Sequence, residues 1–424
     1  MDVAQWGLCF GTRFYGGMME SPCGVDWWVD SLKPMRPCWV EIATQALEDN
    51  YRYLRSLAGG AELLAVVKSD AYGHSLDLCA PAAVRAGAGW LGVTSVEEGA
   101  TARALCPEAR ILVMSGCFPG EGATLLQLGL TAVVWEQWQL DELEGAALAV
   151  GGSSVPVHLE IDTGMSRQGV DLAGLAELLA RLGPDGPLRA EGVLTHLYAA
   201  DESDGLTTAE QMRGLEEALE TIFAAGLRPE WLNVGASAAL LNDGAEWIAA
   251  RAGKWGMKAM LRPGLALYGL APEFSPDEPA GVSEARKRLR PVLSWKTRVV
   301  GVRTIPAGAV VGYNGTFVAT EPMRLALLPV GYADGLDRRL GNHFSLLVRG
   351  ERAPLVGRIS MDLAVLDVTE IEGVAAGDEV VILGSQGAET ISAFEHAEAT
   401  GTIPWEVFTR IGARVKRQGI GNRE

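Results

Sequence analysis

The chain has 424 residues, 48% of them hydrophobic, and a formal net charge of −17. That length exceeds one ordinary compact core, so two domains are expected, or a barrel of roughly 250 residues with a second module. The acid excess argues against a nucleic-acid partner, which needs a basic surface, and the apolar content argues against a disordered chain.

Residues 1–37 mix Gly, Pro, Trp and Cys with no helical or strand period. They lack the basic start and apolar run of a signal peptide, and read as an irregular N-terminal extension. Order is expected from CWVEIATQALEDNYRYLRSL onward: a strand over Trp39–Ile42, then a helix capped by Thr44 with Leu47, Tyr51 and Leu54 on one face. Next comes ELLAVVKSDAYGHS, an apolar run that ends in Lys68 and a polar loop. The same cadence recurs in GWLGVTSVEEGATARA, ARILVMSG, TAVVWEQWQLDELE, VPVHLEIDTG, AEGVLTHLYA, WLNVGASAALLN and MLRPGLALYG. Apolar strands alternating with amphipathic helices imply parallel βα units, and eight of them between about residues 63 and 270 are what a (β/α)8 TIM barrel requires. A doubly wound sheet is the alternative, disfavoured because no GxGxxG loop follows the first strand.

From about residue 275 the texture changes. EFSPDEPAGVSEARKRLR reads as a linker, and short strands between Gly and Pro turns then predict a mostly antiparallel β domain. The stretch ISAFEHAEATGTIPWEVFTRIGARVKR returns to helical spacing. The expected division is 1–37 extension, 38–275 barrel (its first strand possibly joining the β domain) and 276–424 β domain. No apolar run reaches the roughly 20 residues needed to span a bilayer, so no membrane partner is expected and the cytoplasm is the default location. The six cysteines (Cys9, Cys23, Cys38, Cys79, Cys106, Cys117) form no CxxC or Cys/His pattern. They read as free thiols, and no metal is expected.

Barrel enzymes work with residues at the ends of their strands. Lys68 sits there, and a lysine against a low-dielectric wall loses its charge more easily and becomes nucleophilic. Alone it reads better as a rim lysine snorkelling to water. Its surroundings decide otherwise. AVVKSDAYGH resembles the signature of the pyridoxal-phosphate (PLP) lysine in the alanine racemase family. EIDTGMSRQGV, GVLTHLYAADE, LRPGLALYGL, VGYNGTF, LPVGYADGLDRRL, VGRISMD and TIPWEVFTRIGARV resemble further blocks, in the family's order, from about residue 39 to 417.

The resemblance implies a PLP-dependent racemase of a small amino acid. Lys68 would hold PLP and serve as the base on one face of the substrate, with Tyr313 as the base on the other. A proton then leaves Cα on one side and returns on the opposite side. Arg167 and His196 match residues near that tyrosine. Arg262 would face the pyridine nitrogen of PLP; a permanently charged guanidinium leaves that nitrogen without its own proton. Tyr72, Ser237, and the backbone of Gly264 and Leu265 match the phosphate ligands. Arg167 and the backbone of Met361 match contacts to the substrate carboxylate, and Tyr332 and Asp362 line the entrance, with Asp201, Arg338 and Arg358 further out. Lys68 and Tyr313 belong to different domains, and the family joins them across a homodimer with shared active sites.

Two positions depart from the family pattern. Glu160 stands where many members carry a carbamylated lysine, and reads as an unmodified anion placed to hold Arg167. Ala413 stands where some have a tyrosine, which leaves room for side chains larger than methyl, serine among them; Ala236 replaces a common asparagine. The competing readings are a PLP barrel decarboxylase, a racemase of serine or of broader range, and a non-catalytic PLP-binding protein. L-alanine is the default substrate, implying D-alanine supply for peptidoglycan.

Overall fold

A computed structural model describes residues 36–149, 151, 154–183 and 186–421. The extension expected over residues 1–37 therefore lies outside the described residues as far as residue 35. Among the described residues the chain opens with strand β1 (Cys38–Ala43) and helix α1 (Thr44–Leu57). The cap expected from Thr44 is not made. Ala43 occupies the N-cap, no side chain caps the helix, and Thr44 is its first residue. The amphipathic reading holds, with Leu47, Tyr51 and Leu54 on the buried face.

Eight parallel strands then close into a barrel: β2 (Glu62–Val66), β3 (Trp90–Val93), β4 (Arg110–Val113), β5 (Thr131–Val134), β6 (Val155–Glu160), β7 (Leu188–Leu194), β8 (Trp231–Ala236) and β9 (Lys258–Arg262). These are the eight apolar runs of the sequence. They lack polar alternation because helices cover one face while the other fills the barrel; all four residues of β3 and of β5 are buried. Leu64, Val66, Trp90, Leu112, Val133, Leu194, Trp231 and Met260 fill the interior. Each large apolar side chain buried this way contributes about 1.5–3 kcal/mol over exposure to water. The barrel is thus a packed core, and its site must lie at the mouth.

The segment read as a linker contains a helix, Ala280–Arg288. Arg286 fastens it, donating to the carbonyls of Ala271 at 3.3 Å and Pro272 at 2.9 Å and pairing with Glu278. Its polar composition reflects a surface helix held by its charges, which local spacing does not separate from a loop. Beyond it, β10 (Leu293–Arg298) pairs antiparallel with β1 and with Glu379–Gln386, while Lys416–Ile420 lies parallel to β1. β1 precedes the barrel in sequence but pairs in the β sheet. Lys296 bridges Glu41 at 2.9 Å and Glu379 at 3.2 Å across that sheet. A second antiparallel sheet joins Gly301–Ile305, Met323–Leu328 and Ala364–Asp367. The helical C-terminal stretch resolves into helices Ala393–Thr400 and Pro404–Thr409, the second followed by the strand Lys416–Ile420.

Candidate active site

A cavity of about 420 Å³ opens at the C-terminal ends of the barrel strands. Lys68, Tyr72, Arg167, His196, Ser237, Arg262, Gly264 and Leu265 all line it, from five different strand ends. Asp201 joins them, as do Glu160, Gln168, Thr94 and Trp405.

Lys68 begins the short helix α2 (Lys68–Gly73), whose backbone is unusual. Ser69, Asp70, Ala71 and Tyr72 all hold φ between 52° and 56°, the left-handed region, with no glycine among them. Each such residue costs about 1–2 kcal/mol relative to a right-handed turn. Burial, together with the cations Arg167 and Arg262, lowers the Lys68 amine below its usual value, and Glu98 opposes this. Burial pushes the Tyr72 phenol up to about 12, so its hydroxyl keeps its proton and remains a donor.

Arg262 ends β9 and is 5% exposed. Its guanidinium donates to the backbone oxygen of Asn233 at 2.8 Å, to Asn233 Oδ1 at 2.5 Å and to the carbonyl of Thr195 at 2.9 Å. Another N–H stands 3.2 Å from His196 Nδ1. An arginine can only donate, so Nδ1 is the acceptor and the imidazole proton sits on Nε2. Burial first, then the charges of Arg262, Arg167 and Lys68, lower His196 to about 3. The ring is neutral at any working pH. Burial also lowers Arg262, to about 10, which still leaves it charged near neutrality.

Ser237 Oγ accepts the backbone N–H groups of Gly264 and Ala266, each at 3.1 Å. The expected Gly264 donor is therefore engaged by Ser237. Ser237 in turn keeps its own hydroxyl proton for a ligand. A Cβ at Gly264 would collide with the Tyr72 hydroxyl, so only glycine leaves this corner open. Protonated hydroxyls from Tyr72 and Ser237, backbone amide groups and a nearby lysine amine make a donor-rich corner that fits a phosphate; the residues present fit PLP.

The structure keeps the β-domain residues apart from this cavity. Tyr313, Tyr332, Met361 and Asp362 do not line it. Tyr313 is 67% exposed, Met361 54% and Tyr332 43%. Tyr332, Met361 and Asp362 lie in one group of loops. The Tyr332 N–H donates to the carbonyl of Ser360 at 3.1 Å, the Ala333 N–H to that of Met361 at 3.0 Å, and Arg414 holds Asp362 at 2.7 Å. Gly312, next to Tyr313, lies against the backbone of Arg358.

Glu160 corrects an expectation. It is buried, but its carboxylate accepts a short hydrogen bond from Gln168, and no ion pair joins it to Arg167 among the described residues. Burial raises its pKa, against the pull of Gln168, Arg262 and Arg167. Gln168 also donates to the carbonyl of Met114 at 3.0 Å, so the amide takes the place the arginine was given. Ala413 is exposed and does not line the cavity, whereas Trp405 from the same segment does. Sequence reading passed over Asn233, whose signal was a lone polar residue inside the apolar run WLNVGA.

The chain matches the alanine racemase N-terminal domain over residues 42–272 and the alanine racemase C-terminal domain over residues 292–419. It belongs to the alanine racemase family. The alanine racemase of Symbiobacterium thermophilum is 39% identical over 389 residues, 91% of this chain and 98% of that protein. Among solved structures, the alanine racemase of Streptomyces lavendulae aligns with a TM-score of 0.82 at 34% identity, over 91% of this chain and 98% of that one. The alanine racemase of Bartonella henselae, solved with covalently bound pyridoxal phosphate, aligns with a TM-score of 0.76 at 27% identity, over 91% of this chain and 99% of that one. The chain is therefore an amino-acid racemase acting on alanine, with PLP as its cofactor. A match to both family domains leaves neither the decarboxylase nor the non-catalytic carrier standing.

Proposed function

We propose that racemisation takes place in a site built by two copies of this chain, the cavity of one closed by the Tyr313 patch of the other. The observation that carries this is the separation of the two halves: a buried cavity holding Lys68, and an exposed Tyr313 that does not line it. When bound, PLP delocalises the electron pair left on Cα after proton removal. Lys68 holds the cofactor through its nitrogen and moves a proton on one face. Tyr313 moves the proton on the other. Arg262, fixed by Asn233 and Thr195, would be the partner of the pyridine nitrogen of PLP, and its permanent charge would leave that nitrogen without a proton of its own. Such a partner would make PLP a weaker electron sink than a carboxylate partner would, favouring return of the proton over side reactions. His196, neutral with its proton on Nε2, offers that N–H toward the approaching phenol. Tyr72, Ser237 and the backbone of Leu265 hold the phosphate end, and Gly264, whose N–H goes to Ser237, leaves the room for it. Arg167 and the backbone of Met361 receive the substrate carboxylate, and Tyr332 and Asp362 form the entrance.

In this reading residues 38–275 make the cofactor-binding part and 276–424 the part that supplies the phenol. The enzyme works in the cytoplasm as a homodimer and supplies D-alanine for peptidoglycan. No helix among the described residues is long and apolar enough to cross a membrane. Complementation tests the shared site. Lys68→Ala and Tyr313→Phe should each be inactive alone, yet a refolded mixture should regain activity, because one site of the mixed dimer is then intact. A mixture as dead as its components rules out the two-chain site.

A further inference from the structure

Glu98 lies in the first turn of the helix Val96–Leu105, half-buried, and its carboxylate reaches two loops at once. Oε1 accepts the backbone N–H of Ser69 at 2.5 Å and that of Asp70 at 3.3 Å. Oε2 accepts the backbone N–H of Thr94 at 3.0 Å and its hydroxyl at 3.3 Å. One side chain thus ties the loop after β2 to the loop after β3. The two amides it takes from α2 belong to the first two of the four left-handed residues. A run of non-glycine residues in that conformation persists only when its surroundings hold it. Asp70, inside the turn, ties it to the helix that follows, accepting the N–H of Leu76 at 2.6 Å. Lys68 directly precedes the turn that Glu98 holds and Tyr72 ends it, and both line the same cavity.

We propose that Glu98 is a positioning residue for the cofactor: it clamps the left-handed turn so that the Lys68 amine and the Tyr72 hydroxyl stand at fixed places on one cavity. Its hydrogen bonds are charge-assisted, the strong kind, and it touches two rigid strand ends in place of one. The proposal rests on Lys68 and Tyr72 both binding PLP. Borohydride reduction of the unaltered holoenzyme, followed by peptide mass analysis, checks that assignment separately. Cofactor mass found elsewhere than on Lys68 overturns the assignment, whatever Glu98 does.

The clamp itself is read from PLP affinity, by absorbance titration of the apo-protein. Glu98→Ala should weaken binding on the order of tenfold, the effect of losing one hydrogen bond to a charged group. Adding Ser69→Gly to that variant should recover most of the loss, since glycine takes a left-handed φ without strain. A Glu98 that merely packs its helix would not respond to a glycine at position 69. Glu98→Gln keeps the bulk but offers an acceptor to only one of the two loops, and carries the same test should the alanine variant not fold. Unchanged affinity in both Glu98 variants, or a loss that Ser69→Gly leaves in place, overturns the clamp.

Discussion

The mouth of the barrel and the Tyr313 patch of the β domain are built on opposite terms. At the mouth, Arg262 is 5% exposed and engages three oxygens, His196 is locked into one tautomer, and the carboxylate of Glu98 holds the start of a strained turn. In the patch, Tyr313 is 67% exposed, and its turn rests on backbone contacts such as that between Gly312 and Arg358. The first region is held by its own hydrogen bonds. The second leaves three large side chains, Tyr313, Tyr332 and Met361, exposed. One chain therefore carries a buried cluster at the barrel mouth and an exposed tyrosine in its β domain.

That contrast can be broken most sharply by Gly264→Ala set against Tyr313→Phe. The alanine Cβ meets the Tyr72 hydroxyl, so PLP affinity should fall by about 100-fold, in line with roughly 3 kcal/mol for overpacking a filled corner. Tyr313→Phe should cost on the order of 10²–10⁴ in turnover, the usual contribution of a positioned acid–base group, and leave PLP affinity as it was. Absorbance titration and polarimetry separate the two. Equal effects on cofactor binding would merge regions that the geometry keeps apart.

A smaller effect concerns acid. Burial lowers His74 to about 4 and His196 to about 3, whereas the unfolded chain takes up those protons near 6.5. The folded state refuses protons that the unfolded state accepts. Stability is then full above pH 6.5 and is lost as pH falls toward about 4. Thermal melts of apo-protein from pH 7 to pH 4.5 should show the decline, and His196→Asn should flatten it. A melting temperature that rises on acidification would contradict this reading of the barrel mouth.

The smallest expected change is at Glu160. Its partner is Gln168, so Glu160→Gln should alter KM for alanine by less than about threefold, the size of a neutral hydrogen-bond exchange. Activity should not depend on bicarbonate, since no lysine stands there to be modified. A tenfold rise in KM would restore the link to Arg167 that the geometry does not show.

Much of this was legible in the chain. The eight apolar runs and the lysine at the end of the first follow from spacing, because a parallel barrel buries both faces of every strand. The clustering of Lys68, Arg167, His196, Ser237 and Arg262 was carried by family-like blocks, each at a strand end. What failed was local. Spacing suggests Thr44 as a cap, but Ala43 holds that place; a polar, linker-like segment is helical over Ala280–Arg288; and Glu160 meets Gln168 rather than Arg167. Each of these depends on which neighbour a side chain meets, and spacing does not encode that.

The order of elements and the identity of the chemistry-bearing side chains were thus determined by sequence, since hydrophobic periodicity and residue type are properties of the chain itself. Tertiary structure alone decided that β1 joins the far sheet, that Asn233 and Thr195 hold Arg262, that Glu98 grips the turn behind Lys68, and that Tyr313 stands outside its own chain's cavity. Those facts are contacts between residues distant in sequence, and they exist only once packing has brought the partners together.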